Sequence, residues 1–245
     1  MNRITMLALV AAVAGVAHAE DFKITITDAG PQPLSPLFFS ASTSAFDIFQ
    51  PGGSASQGIT NISEFGNATV ELGYASASSA VGTYGLLGGS PLLPGGTRTT
   101  TFSADSAHSY FSFAAMLGIT NDGFIGSSVS SDGLQLFHNG HAQSLDIVVW
   151  GANTWDAGAA LDAQTAATLA HYGGTPIAIN GSIHSYANGL TPGVGDYDSL
   201  GLAQYNWNAG TEIAHIKVQA VPEPAPIAAM GLGVVALIRR RRKTN

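Results

Sequence analysis

The sequence predicts an all-β fold in which strands stack as a sandwich or close into a barrel. From residue 21 to residue 220, short runs that are apolar or that alternate apolar and polar residues follow one another. Clusters of Gly, Pro, Ser and Asn separate these runs, and such clusters mark turns between strands. Many short strands bury their apolar faces by pairing two sheets or by closing one sheet on itself.

The strand candidates can be taken in chain order. Segment 22–28 alternates with period two, which is typical of a strand with one buried face. The other strand candidates are 69–74, 98–104, 109–117, 133–138, 145–150 and 212–218. Away from the chain ends, one segment with helical composition stands out, 159–171, and its many alanines provide little apolar volume. Segments 76–79 and 86–96 have the composition of flexible loops. The body of about 200 residues is long enough for one β-domain with loops of this length.

Composition excludes several function classes. The 245 residues include no cysteine, which excludes a disulfide framework, a zinc–cysteine site and a thiol nucleophile. Between Glu20 and Val221 only Lys23, Arg98 and Lys217 are basic, against 15 acidic residues, so three positive charges and fifteen negative ones give a net charge of −12. Such a body repels phosphate backbones, which argues against nucleic acid as a partner. The same charge favours solubility, and it can also attract cations.

The first nineteen residues have the pattern of an export signal. Arg3 provides a basic start, 4–16 form an apolar core, and Ala17 and Ala19 define an A-x-A cleavage site before Glu20. We therefore expect the Sec export machinery to act on residues 1–19 as a signal peptide. The domain boundaries that follow are 1–19 for this signal, 20–220 for the body and 221–245 for a C-terminal segment.

The C-terminal segment has three parts. A proline-rich motif at 221–224 precedes an apolar stretch, 225–238, and a basic tail, 239–245. As a helix the apolar stretch would be about 21 Å long at about 1.5 Å per residue, so it can cross the ~30 Å hydrocarbon layer only marginally. Basic flanks stay in the cytoplasm, which puts the body on the far side of the inner membrane. The membrane-stop residues are Arg239, Arg240, Arg241, Arg242 and Lys243.

This tripartite tail resembles the PEP-CTERM sorting signal of Gram-negative bacteria, with Pro222, Glu223 and Pro224 as its motif. The resemblance implies a short transmembrane helix and processing by an exosortase, a membrane enzyme of the transpeptidase type. It also implies an association with exopolysaccharide production. The protein would be tethered transiently to the inner membrane and then reach the cell surface or the extracellular matrix. An ordinary C-terminal anchor is the alternative.

The body resembles a spondin N-terminal domain. The similarity extends from about residue 21 to 218, and its most specific parts are the motifs at 120–124 and 155–158. Shorter matches lie at 33–36, 55–58 and 63–67, and Trp207 with 213–218 matches the closing segment. The resemblance implies a single antiparallel β-sandwich of about eight strands that holds a calcium ion between loops at one end.

The resemblance assigns calcium ligands to Asp122 and Asp156, because these residues match the family positions directly. The second acidic position of the later motif is Ala160 in this sequence, so Asp162 and Asp105 are further candidate oxygen donors. With two matched carboxylates we expect weaker binding than at a complete site. Alternatively, both aspartates only cap their loops through Asx-turns.

Other candidate sites are less specific. His138 and His141 flank an Asn-Gly turn and lack the Glu of a helical zinc motif, so a surface loop is the simpler interpretation. The sequence contains no G-x-S-x-G nucleophile elbow and no phosphate-binding loop. We therefore predict a non-enzymatic adhesion or binding module that contacts exopolysaccharide or surface glycans. The alternatives are a carbohydrate-active enzyme that uses loop carboxylates, such as Asp196 and Asp198, and that stacks sugars on Trp150, Trp155 or Trp207, and a structural matrix protein without a specific ligand.

Overall fold

The computed structural model describes residues 19–187, 189 and 199–222. Three predicted features lie outside them: most of the signal peptide with Ala17, the sorting tail from Glu223 onward, and the loop carboxylates Asp196 and Asp198. Ala19 and Pro222 lie at the two ends of the described chain and are both exposed. Within the described ranges, no helix combines the length and apolar character needed to cross a membrane.

The described residues form twelve strands, two helices and three short 3-10 turns. The helices are α1 (Gln57–Phe65) and α2 (Thr69–Ala77), and the 3-10 turns are Gly151–Asn153, Ala170–Tyr172 and Leu202–Tyr205. The strands are β1 (Glu20–Asp28), β2 (Leu37–Ser42), β3 (Val81–Leu87), β4 (Thr97–Ala104), β5 (Tyr110–Met116), β6 (Gly123–Ser127), β7 (Phe137–His138), β8 (His141–Ala142), β9 (Leu145–Trp150), β10 (Thr154–Asp156), β11 (His184–Ser185) and β12 (Glu212–Val221).

The strands form antiparallel sheets, as the sequence predicts. One sheet has four strands in the order β4-β1-β12-β9, and the other has six in the order β11-β10-β6-β5-β2-β3. Strands β7 and β8 form a separate two-stranded ribbon. In the four-stranded sheet, β1 is central and pairs with both β12 and β4, with Asp21 opposite Val221 and Glu20 opposite Ala104.

An apolar core contains residues from both of the larger sheets. On β1 the inward positions alternate with exposed ones, so that Phe22 is fully buried, as are Ile24 and Ile26. Phe102 of β4 joins the two sheets, because its ring centroid lies 5.5 Å from that of Phe22 in its own sheet and 5.2 Å from that of Phe39 on β2. Aromatic pairs at these distances add to the free energy gained from burial.

Two helices pack on the outer side of the six-stranded sheet. Helix α1 begins after Ser56, whose side chain accepts a hydrogen bond from the N–H of Ile59, and it ends at Gly66 in the left-handed conformation. Ile59 and Ile62 bury one face of α1 in a second apolar cluster. Phe38 of β2 and Phe124 of β6 belong to the same cluster. Helix α1 therefore packs against β6, the strand that directly follows the predicted calcium ligand Asp122.

Several predicted strands are confirmed and others are wrong. Segments 22–28, 98–104, 109–117, 145–150 and 212–218 correspond to β1, β4, β5, β9 and β12. The predicted strand 69–74 is instead the start of α2, because its alternating pattern is overridden by packing of Ala75 and Glu71. Of the predicted strand 133–138, Phe137 and His138 form β7, and Gln135 makes an isolated antiparallel bridge to Tyr110.

The predicted helix at 159–171 is wrong as well. The segment contains a bridge between Ala160 and Ala178, a turn over 165–168 and the start of a 3-10 turn. Its small side chains cannot bury a helical face, so the backbone hydrogen-bonds to neighbouring loops instead. The predicted loops at 76–79 and 86–96 in fact include the ends of α2 and β3. Strand β2 has no alternation to detect, because all six of its residues are buried.

Candidate metal centre

Three of the four predicted calcium ligands come together at one end of the six-stranded sheet. Asp122 directly precedes β6, and Asp156 is the last residue of β10. These strands pair with Gly123 opposite Asp156, which brings the two aspartates side by side. Asp162 follows in the loop after β10, and one carboxylate oxygen from each of the three residues lies within 4.8 Å of the others.

Asp122 is the most deeply placed of the three. Its side chain is fully buried, and its Oδ2 accepts hydrogen bonds from the backbone N–H groups of Ala159 at 2.7 Å and Ala160 at 2.8 Å. Its Oδ1 is buried and has no hydrogen-bond partner among the described residues. A buried oxygen without a partner is costly, so this atom requires a ligand or a proton. Ala160 offers no side-chain oxygen, but its N–H orients Asp122.

Asp156 and Asp162 are held by the loops around them. The Oδ1 of Asp156 accepts a hydrogen bond from the N–H of Gly158 at 2.6 Å, in an Asx-turn. Gly158 has a φ of +62°, and a Cβ at this position would lie 2.6 Å from the backbone of Ser182, so the turn requires glycine. Asp162 Oδ1 accepts a hydrogen bond from the Tyr186 hydroxyl at 3.1 Å.

Burial raises the pKa values of all three carboxylates, and repulsion from neighbouring carboxylates adds to the effect at Asp122 and Asp156. Burial raises the pKa of Asp122 to about 6, against the effect of its two N–H donors. Burial, followed by repulsion from Asp122 and Asp162, raises the pKa of Asp156 to about 7. Burial also raises the pKa of Asp162. His184 Nδ1 lies 3.8 Å from Asp156 Oδ1, but its side chain is mostly exposed. A cluster of this kind favours a bound proton or a bound cation.

A fourth acidic residue, Glu64 on α1, faces this cluster and was not predicted from the sequence. Glu64 is only 7% exposed, and its pKa is raised by burial and then by the charge of Asp122. Its position offered one signal. An acidic side chain in the last turn of a helix is opposed by the helix dipole, and Gly66 marks that end of α1. This unfavourable position indicates that Glu64 has a role other than stabilising the helix.

A cleft of about 380 Å³ adjoins the cluster. One wall is the polar side of α1, with Gln57, Thr60 and Glu64, and the other is formed by backbone near Ala159 and Asn180. The loop that contains Ala159 lines the cleft, and the N–H of Ala159 also donates a hydrogen bond to Asp122. The same loop therefore contacts both the cleft and the carboxylate cluster.

Asp105, the fourth predicted ligand, does not belong to the cluster. It follows β4, and its Oδ1 accepts hydrogen bonds from the backbone N–H groups of Ala107 and His108. The His108 ring also lies 3.0 Å from this oxygen. Partial burial acts to raise the pKa of Asp105, but the hydrogen bonds and the nearby His108 lower it overall. All of these contacts are made by Oδ1 with residues two or three positions later in the chain, so the environment of Asp105 is a local turn.

The remaining candidates are separate from the metal centre. His138 and His141 face each other across the β7–β8 turn and are exposed. Of the tryptophans, Trp207 is buried, and Trp155 donates its indole N–H to the carbonyl of Gly126. Trp150 is 43% exposed.

Comparison with known families identifies the C-terminal segment. Residues 220–243 match the PEP-CTERM protein-sorting motif, which confirms the prediction made for Pro222, Glu223 and Pro224. The motif indicates an exported protein that exosortase processes at the membrane and that reaches the cell surface, and it implies Sec export. No spondin-domain match is found for the body. No curated protein matches the chain in sequence.

Proposed function

We propose that the body is a non-enzymatic binding module, that its two sheets form a spondin-type sandwich, and that Asp122, Asp156 and Asp162 hold a calcium ion. The observation that carries this proposal is the meeting of three carboxylates around an Asp122 oxygen that is buried and unpartnered. The sorting tail supplies the setting, since an exosortase-processed protein works at the cell surface or in the matrix around it.

The residues fit calcium in kind and in charge. Calcium takes 6–8 oxygen ligands from carboxylates, carbonyls and water, and carboxylates are the donors this cluster offers. Burial favours the protonated, neutral form of these carboxyl groups. A bound calcium ion would instead neutralise their negative charges, which is the chemistry it supplies here. Through Asp122 it would join the β5–β6 loop, and through Asp156 and Asp162 the loop after β10. The expected consequence is a stiffer binding surface beside the cleft.

Burial supports a holding role for these carboxylates over a catalytic one. Asp122 is fully buried and Asp156 is 3% exposed, so a polysaccharide chain has little access to either side chain. A general acid or base must reach the proton that it transfers. Among the described residues, the exposed indole of Trp150 lends support to the rival proposal of a carbohydrate-active enzyme. The third candidate remains a matrix protein with no specific ligand.

Calcium binding is tested by melting the body, residues 20–222, in calcium and in chelator. Because calcium binds the native state, the midpoint should rise, with about 2.7 kcal/mol gained at a concentration 100 times the dissociation constant. Asp122→Asn should abolish the rise, and Asp105→Asn, the matched control at the other end of the sheets, should preserve it. Coincident midpoints at millimolar calcium in the unmodified body would refute the site.

The binding function is tested by incubating the body with the exopolysaccharide and surface fractions of the producing cell. We expect enrichment that exceeds that of an unrelated acidic β-protein and that falls when calcium is removed. The same mixtures are analysed for released sugars. Turnover that Asp156→Asn abolishes would favour the enzyme, and absence of both enrichment and turnover would favour a matrix protein without a ligand.

A further inference from the structure

The body begins and ends at the same end of the four-stranded sheet. Strands β1 and β12 are antiparallel neighbours, so Asp21 lies opposite Val221, and Glu20 lies opposite Ala104 at the end of β4. We call this the tether end and define it by Glu20, Ala104 and Val221. The predicted signal peptide precedes it and the sorting motif follows it in the chain.

The carboxylate cluster lies at the opposite end. Strand β1 runs away from the tether end to Asp28, and Gly30 then donates its N–H to the carbonyl of Ile213 near the start of β12. Two residues further on, Gln32 accepts a hydrogen bond from the N–H of Ile119, in the loop that leads to Asp122. We call this the acidic end and define it by Asp28 and the three clustered aspartates. Eight residue steps along β1 separate the ends by roughly 25 Å at about 3.3 Å per residue.

Little chain is available between the body and the membrane. The match to the sorting motif begins at residue 220, which is inside β12, because that strand continues to Val221. The predicted apolar segment begins at 225, so three residues, 222–224, form the spacer. Fully extended, three residues span only about 10 Å. Because the acidic end lies more than twice this distance from the tether end, the body cannot turn over freely on such a tether.

From these placements we infer that the tethered protein stands on the lipid headgroups with its tether end and presents its acidic end outward. The inference rests on the sorting function of the tail and adds an orientation to it. The cleft between α1 and Ala159 then faces away from the membrane before processing takes place. The ligand binding proposed above would then begin while the protein is still tethered, and this consequence rests on the proposed function.

The native chain has no cysteine, so single labels can be introduced without removing any thiol. Ser106→Cys places a fluorophore in the exposed turn after β4, beside the tether end, and Asn180→Cys places one on the exposed loop beside the acidic cluster. Each labelled chain, from Glu20 to Asn245 as expected after removal of the signal peptide, is inserted into vesicles of phosphatidylethanolamine and phosphatidylglycerol that carry nitroxide headgroups. Nitroxide quenching acts over short distances, so the ~25 Å separation should make quenching at position 106 about threefold stronger or more.

A spacer variant provides the matched control. Twenty Gly and Ser residues inserted after Pro222 give a flexible linker of about 25 Å, which lets the body rotate, so the two labels should be quenched more equally. Equal quenching without the spacer, or stronger quenching at position 180, would overturn the orientation. Flotation of the vesicles separates this result from a failure of the tail, because a chain that does not float with lipid contradicts the tether itself.

Discussion

The two ends of the body are closed by different chemistry. Near the tether end, the rings of Phe22, Phe102 and Phe137 pack together, with centroids 5.5 and 5.6 Å from that of Phe22. At the acidic end, the buried oxygens Asp28 Oδ2 and Asp122 Oδ1 have no hydrogen-bond partner among the described residues. Buried apolar side chains need no hydrogen-bond partner or counter-ion, whereas buried carboxylates require a proton or a cation. The first end therefore supports stability, and the second end is the one that responds to solution conditions.

The titration of the acidic groups differs between the ends in the same way. Burial raises the pKa of Asp28 to about 7, despite the hydrogen bond that it accepts from Gly30. The pKa of Asp105, near the tether end, is lowered overall. A raised native pKa means that the native state binds more protons than the unfolded state between about pH 4 and 7. Ionisation of Asp28 therefore destabilises the native state as the pH rises through that range. Ionisation of Asp105 has the opposite effect and stabilises the native state, at lower pH.

The largest effect is expected from Phe102→Ala, which removes the ring that joins the two sheets. Loss of a buried phenylalanine from a packed core costs about 3–5 kcal/mol. Urea unfolding of residues 20–222 measures this cost, which should be the same in calcium and in chelator if the tether end is independent of the ion. Phe65→Ala is the control, because Phe65 is 51% exposed and should change the stability little. A calcium-dependent cost for Phe102→Ala would contradict the division between the ends.

A smaller effect is expected from Asp28→Asn, which cannot ionise but keeps the oxygen that accepts from Gly30. The native body loses stability as the pH rises towards the Asp28 pKa of about 7, because Asp28 ionises while buried. The free energy of unfolding of the variant, relative to that of the native body, should therefore increase by about 1–3 kcal/mol between pH 5 and pH 8. Urea unfolding in chelator at the two pH values measures the difference. An unchanged difference would mean that Asp28 does not titrate in this range and that the acidic end is less strained than its burial indicates.

Local patterns in the sequence predicted part of the fold and part of the site. The alternation at 22–28 and the apolar positions of 212–218 specify strands directly, because each strand buries one face. Helix α2 was missed because the alternating Thr69–Tyr74 stretch fits a strand as well as a helix, and its packing partners decide between them. Asp122 and Asp156 were predicted because the motifs at 120–124 and 155–158 match positions of the family that the body resembles. Asp105 has the same residue type at a position that the fold leaves near the other end.

The sequence by itself determined that this protein is exported and sorted, since a sorting signal is a contiguous stretch whose hydropathy and charge act without a fold. It also determined that the body is acidic and mainly β. Only the tertiary structure decided that Asp162 joins Asp122 and Asp156, that Glu64 approaches them from a helix 58 residues before Asp122 in the chain, and that the cluster lies opposite the tether. These facts depend on strand pairing between distant segments, and the free energy that fixes such pairing comes from burial of the whole core.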